Sequence, residues 1–202
     1  MENNKIDQKY LDALRELANI GVGNAVTSLS QMLGEEKIKM EVPEVSMVSL
    51  QDIPESLGGA EFSVAGVYIE ASGGVKLTIL FALPLESAGN LISALLPQEK
   101  IDMFDEMSLS VLTEVGNILT SSYLTAISYL TDLQLMPSPP QIAIDMAGAI
   151  ITTVLAEAEL IEEEVLLLTT TLFAEDTKIE GNILIIPDAG ALGKIFSLMG
   201  LK

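Results

Sequence analysis

Two pairs of side chains in this sequence stand at a spacing that could do chemistry. Glu16 and Asn19 lie three residues apart inside a long apolar-periodic stretch, and Glu114 and Asn117 repeat the pair 98 residues later. At roughly 100° per residue the two members of a pair sit about 60° apart, on the helix face opposite Leu14 and Leu29 in the first copy. A carboxylate can engage a cation, and a neutral amide beside it can accept and donate hydrogen bonds at once. Asp12, Gly23 and Ser30 share the first face; Ser110, Ser121 and Ser128 share the second. Gly23 and Ser121 keep the surface low beside each pair, so another molecule can approach closely. A single such pair on an exposed helix is ordinarily only solvated polar surface. Repetition changes that reading. Nearby positions differ between the copies (Arg15 against Thr113, Gln31 against Tyr129), whereas the Glu and the Asn do not.

Composition removes most other chemistries. The 202 residues include no His and no Cys, which excludes Ser-His triads, thiol nucleophiles, Cys/His zinc sites and imidazole acid–base catalysis. Only carboxylates, amides, hydroxyls and ten basic residues remain. A net charge of −19 opposes binding to bare nucleic acid or to an anionic membrane and favours protein partners with basic patches. Mean hydropathy is high at +0.45, yet the apolar stretches Val75 to Leu85, Ala143 to Ala156 and Val165 to Phe173 are short. Lys76, Pro84, Asp145 or several threonines interrupt them, and a spanning helix needs about 20 apolar residues in a row. The opening Met-Glu-Asn-Asn-Lys lacks a secretion pattern, and without cysteine there is no disulfide framework. A cytoplasmic location with no membrane association is the expectation.

The elements that must position the two pairs are themselves duplicated. Helical spacing of Leu11, Leu14, Ala18, Gly21, Val22, Ala25, Leu29 and Met32 predicts a helix from about Asp7 to Leu33, stopped at Gly34. A strand over Lys37 to Val42 and a loop through Pro43 and Pro54 follow. Ala60 to Ala71 and Val75 to Leu83, separated by Ser72-Gly73-Gly74, read as a hairpin. A helix then starts at Pro84 and ends before Pro97. The second half repeats the order: a helix from about Ser108 to Leu133, a break at Pro137, Pro139 and Pro140, strands over Glu164 to Ala174 and Gly181 to Ile186, and a last helix after Pro187. A short helix around Asp145 to Ala158 reads as an insertion found only in this half.

Leu14, Glu16, Asn19, Ile20, Thr27 and Ser30 have identical counterparts in Leu112, Glu114, Asn117, Ile118, Thr125 and Ser128. Pro84, Ala88, Ile92 and Leu95 likewise match Pro187, Ala191, Ile195 and Leu198. A helix–hairpin–helix unit cannot cover both faces of its own strands, whereas two units sharing a sheet can. The expected fold is therefore α+β: a single pseudo-two-fold domain over residues 1–202, with repeats at about 7–97 and 106–200. One mainly antiparallel sheet is shared, with helices packed on it.

At this point a family resemblance becomes specific. Asp12-x3-Glu16-x2-Asn19 and Ser110-x3-Glu114-x2-Asn117, followed downstream by Pro43 and Pro140, resemble the duplicated signature of the CheC family of chemotaxis phosphatases. So do Glu16-Leu-Ala-Asn19-Ile-Gly-Val-Gly-Asn24, Glu114-Val-Gly-Asn117-Ile-Leu and Pro139-Pro140-Gln141-Ile-Ala-Ile-Asp145-Met146. The likeness covers nearly the whole chain and departs only in the loop before Pro43, which is one residue longer than its counterpart. It implies a hydrolase acting on the aspartyl phosphate of a CheY-type response regulator. The regulator itself supplies Mg2+ in its active site, and this chain binds none. Asn19 and Asn117 would position the attacking water, and Glu16 and Glu114 would dock onto a regulator lysine. Asp145 matches a contact to CheD, a receptor-modifying deamidase; as a residue it reads equally as a helix N-cap. The sibling CheX has one Glu/Asn pair, and FliY siblings append a flagellar-switch domain, so the CheC branch is the better match. The competing class is a non-catalytic acidic adaptor that sequesters CheD or docks at the flagellar motor, which would have no need of both asparagines.

Overall fold

The computed structural model describes residues 8–33, 38–41, 44–96, 102–157, 163–174 and 177–201. Helix α1 (Gln8–Leu33) leads into β1 (Ile38–Met40) and β2 (Glu44–Ser49), a 3-10 turn at Leu50–Asp52 and the short helix α2 (Ile53–Ser56). The hairpin β3 (Ser63–Ser72) and β4 (Lys76–Pro84) and helix α3 (Leu85–Leu95) complete the first half. The second half runs α4 (Glu106–Thr131), β5 (Met136–Pro137), β6 (Gln141–Met146), α5 (Ala147–Glu157), β7 (Glu164–Ala174), β8 (Thr177–Pro187) and α6 (Ala191–Leu198). Both halves therefore have the same element order. The expected stop at Gly34, and Pro43, Pro97 and Ala158, lie outside the described residues.

Three expectations are corrected. The segment between Pro43 and Pro54 is not a loop: Glu44–Ser49 pairs antiparallel with β7, from Glu44 opposite Thr169 to Ser49 opposite Glu164. Its apolar residues do not alternate strictly, because Met47 and Val48 are adjacent, so no period-2 signal marks it; the open edge of β7 supplies its order. The predicted helix start at Asp145 is strand, since Gln141–Met146 pairs with β3, and the helix begins at Ala147. That helix is not an insertion either. Ile53–Ser56 stands at the same place in the first half, 4 residues long against 11.

The sheet explains why the chain is duplicated. Its order is β1-β7-β8-β4-β3-β5, with β2 also on β7 and β6 also on β3, and every pairing is antiparallel. The halves exchange their outer strands: β1 and β2 cover the second hairpin, and β5 and β6 cover the first. The hairpins meet at the centre, where Ile79, Leu80 and Phe81 of β4 face Ile185, Leu184 and Ile183 of β8. Alternation along these strands feeds two apolar layers, as a sheet covered on both faces requires. Ile79, Phe81, Ile183 and Ile185 point to α1, α3, α4 and α6; Leu80, Ala82, Leu184 and Ile186 point to α2 and α5. The first hairpin turns at Gly73 and Gly74, whose φ values of +140° and +84° L side chains rarely adopt.

The two long helices lie side by side on the sheet and run antiparallel. A β-carbon at Gly21 would come within 2.7 Å of the Tyr123 ring, while Thr27 and Ser28 share a groove with Asn117 and Ser121. The repeat places Leu119 at the position corresponding to Gly21 and Ala25 at the position corresponding to Tyr123. A Gly–Tyr contact on one side of the pseudo-dyad thus corresponds to a Leu–Ala pair on the other, which keeps the volume between the helices filled. Tyr123 is fully buried, and among the described residues its hydroxyl has no hydrogen-bond partner. Burial raises its pKa above the usual tyrosine value, so it stays neutral.

Candidate active site

Glu16 and Asn19 are exposed on α1, and Glu114 is exposed on α4. The helices bury their other faces through Leu14, Leu17, Ala18, Ala25 and Leu29, and through Leu112, Val115, Leu119, Tyr123 and Ile127. Packing therefore holds each pair outward on a rigid element, as the periodicity predicts. Leu17 and Val115 join the core although helical spacing did not single them out; they sit at the margin of the apolar stripe and are nonetheless almost wholly buried. Beside the first pair, Arg15 forms an exposed ion pair with Asp12 at 3.1 Å.

The two copies differ in detail. Asn117 is half-buried at the rim of a groove of about 420 Å³ between the long helices, lined by Asn24, Thr27 and Ser28 from α1 and Ile118, Ser121, Ser122 and Thr125 from α4. The Ser121 hydroxyl donates to Asn117 Oδ1 at 3.3 Å. These neighbours are almost all hydroxyls and amides, so the groove can hydrogen-bond a polar group without adding charge. Sequence reasoning did not assign Asn24, Thr27 or Ser28 to this site. The signal was present in the Thr27/Thr125 identity, but only the antiparallel pairing of the helices sets Thr27 near Asn117.

Asp145 is not brought to either pair. It lies on β6 opposite Val64, which belongs to the apolar layer under α5. Residues directly opposite in a sheet point the same way, so Asp145 faces the side away from α1 and α4. It borders a small cleft with Tyr68, Gln141, Ala149 and Thr153. Its carboxylate accepts from the Met146 backbone N–H at 2.7 Å. That is a local contact at a strand end and not a helix cap.

Comparison with known proteins bears on this arrangement. The sequence model of the CheC-like family matches residues 10–47 and 107–144, which include both Glu/Asn pairs. A protein of Bacillus subtilis (strain 168), the CheY-P phosphatase CheC, is 34% identical over 203 residues, covering 98% of this chain and 97% of its own. The chain belongs to the CheC-like family. Among solved structures, FliY of Thermotoga maritima superposes with a TM-score of 0.73 at 20% identity, covering 97% of this chain and 98% of that one. The FliM middle domain from H. pylori superposes at 0.67 with 12% identity, covering 96% and 100%. At such low identity the last two establish a shared fold. The family match falls twice, once on each long helix and the segment after it, and that segment holds the exchanged strands β1 and β2 or β5 and β6. No described helix is long and apolar enough to cross a membrane.

Proposed function

We propose that this protein hydrolyses the aspartyl phosphate of a CheY-type response regulator in the cytoplasm, using two sites on one continuous helical face. The observation that carries the reading is the presentation of the same Glu/Asn pair, outward and on a rigid helix, in both halves. Kinship over the full chain with a protein named as a CheY-P phosphatase supports it. In this reading the regulator docks its phosphorylation site against α1 or α4. Glu16 or Glu114 engages a lysine beside the phosphate, because a carboxylate aimed at the phosphoryl oxygens themselves would be repelled. Asn19 or Asn117 accepts a hydrogen from water with its carbonyl oxygen and holds that water in line with phosphorus. The water oxygen bonds to phosphorus, the bond from phosphorus to the aspartate oxygen breaks, and inorganic phosphate leaves with the regulator carboxylate restored. Among the described residues no cluster of three or more acidic side chains is placed to hold an ion. The Mg2+ that neutralises the phosphoryl charge belongs to the regulator's own site.

The test is phosphate release from purified phospho-regulator, measured against regulator concentration. Wild-type protein should accelerate release. Glu16→Ala combined with Glu114→Ala should raise the half-saturating concentration about tenfold while changing turnover little, the pattern of lost docking. Loss of turnover with an unchanged half-saturation would instead assign the carboxylates to the chemistry. No acceleration by the wild type would leave the adaptor reading.

Asp145 is proposed as part of a contact to a CheD-type deamidase. Its position on the sheet face away from both long helices supports a partner that binds without blocking the regulator. Asp145→Lys should lose co-purification with CheD and keep its phosphatase rate and melting temperature. Retained CheD binding would remove Asp145 from that surface.

A further inference from the structure

The two sites are matched in sequence at the Glu and the Asn, but not one helical turn further on. Ser121 stands four residues after Asn117, and Gly23 stands four residues after Asn19. The hydroxyls of Thr113, Thr120, Ser122, Thr125 and Thr131 on α4, and of Thr27 on α1, donate to the backbone carbonyl four residues back. That is the ordinary habit of Ser and Thr inside a helix. The Ser121 hydroxyl does otherwise and donates to the side-chain oxygen of Asn117.

We infer that Ser121 is a positioning residue that fixes the amide of Asn117, so that the second site turns over faster than the first. This rests on the phosphatase reading above and departs from the equivalence that the matched pairs imply. An amide oxygen has two acceptor sites. With Ser121 on one, the other is aimed outward for a water hydrogen, and the NH2 group is left to donate to a phosphoryl oxygen. A surface asparagine without that contact samples several rotamers, and only a fraction of them hold the water in line. Asn117 is half-buried and Asn19 exposed, in keeping with the difference. Gly23 cannot supply the hydroxyl. A β-carbon at Gly23 would meet no neighbouring atom within 4 Å, so a serine fits there without displacing anything.

The experiment isolates each site in the full-length protein: Asn19→Ala leaves the second working, and Asn117→Ala leaves the first. Phosphate release is measured against phospho-regulator concentration, with thermal melting as a control for folding. Adding Ser121→Ala to the Asn19→Ala protein should lower turnover about three- to tenfold, the worth of one ordinary hydrogen bond, with half-saturation unchanged. Adding Gly23→Ser to the Asn117→Ala protein should raise turnover by a similar factor. If Ser121→Ala leaves turnover unchanged in the Asn19→Ala protein, or lowers it equally in the Asn117→Ala protein, Ser121 does not position Asn117 and the inference is overturned. A wild type with no turnover at all is a different result, because it removes the phosphatase reading.

Discussion

Replacing both Asn19 and Asn117 with alanine should reduce phosphate release from the phospho-regulator to its spontaneous rate. The chain contributes no acid, base or nucleophile in this mechanism, so holding the water is nearly all of its catalytic effect. In-line positioning is worth on the order of several kcal/mol, which is at least a hundredfold in rate. Each single change should leave partial activity, and Asn117→Ala should cost more than Asn19→Ala if Ser121 orients its amide. Both asparagines project outward from helices held by buried leucines below, so the melting temperature should hardly change. Single-turnover phosphate release with saturating regulator is the decisive measurement. A double variant that keeps the wild-type rate would show that water is positioned by something else.

Cutting the chain between its halves should abolish folding of both pieces. A fragment 1–101 would keep the hairpin β3–β4 but lose β8 from one side and β6 from the other; a fragment 102–202 would lose β4 and β2 in the same way. At the central seam Ile79, Leu80, Phe81, Ile183, Leu184 and Ile185 are each almost wholly buried. Burial of such a side chain stabilises by about 1.5–3 kcal/mol. Six of them together match the whole net stability of an ordinary domain, about 5–15 kcal/mol. Each fragment would also bare the face of its long helix that packs on the other. We therefore take residues 1–202 as one cooperative unit, and denaturant unfolding of the intact chain should be a single transition seen alike by far-ultraviolet circular dichroism and tyrosine fluorescence. A fragment that unfolds cooperatively by itself would refute this.

Local order was legible in the residues. The helical period placed α1 and α4 within two residues of their observed ends, the Ser72-Gly73-Gly74 turn marked the first hairpin, and the identities between halves announced the duplication. The exposed Glu/Asn stripe was legible for the same reason, because a helix face is fixed by contacts three and four residues apart. What escaped depended on partners distant in the chain. Glu44–Ser49 and Gln141–Met146 are strands because the other half's hairpin offers each an open edge. The first breaks alternation at Met47 and Val48; the second alternates (Ile142, Ile144 and Met146 against Gln141, Ala143 and Asp145) but over only 6 residues that run straight into a helix. Asp145 faces α5 because of its register against Val64, where a shift by one residue would turn it to the opposite side. The setting of Asn117 likewise needed the antiparallel packing of α1 on α4, which brings Asn24, Thr27 and Ser28 to its side. Sequence determined which residues each half presents; the exchange of strands and the pairing of long helices decided what surrounds them, since both are set by which edge or face remains uncovered when the two halves meet.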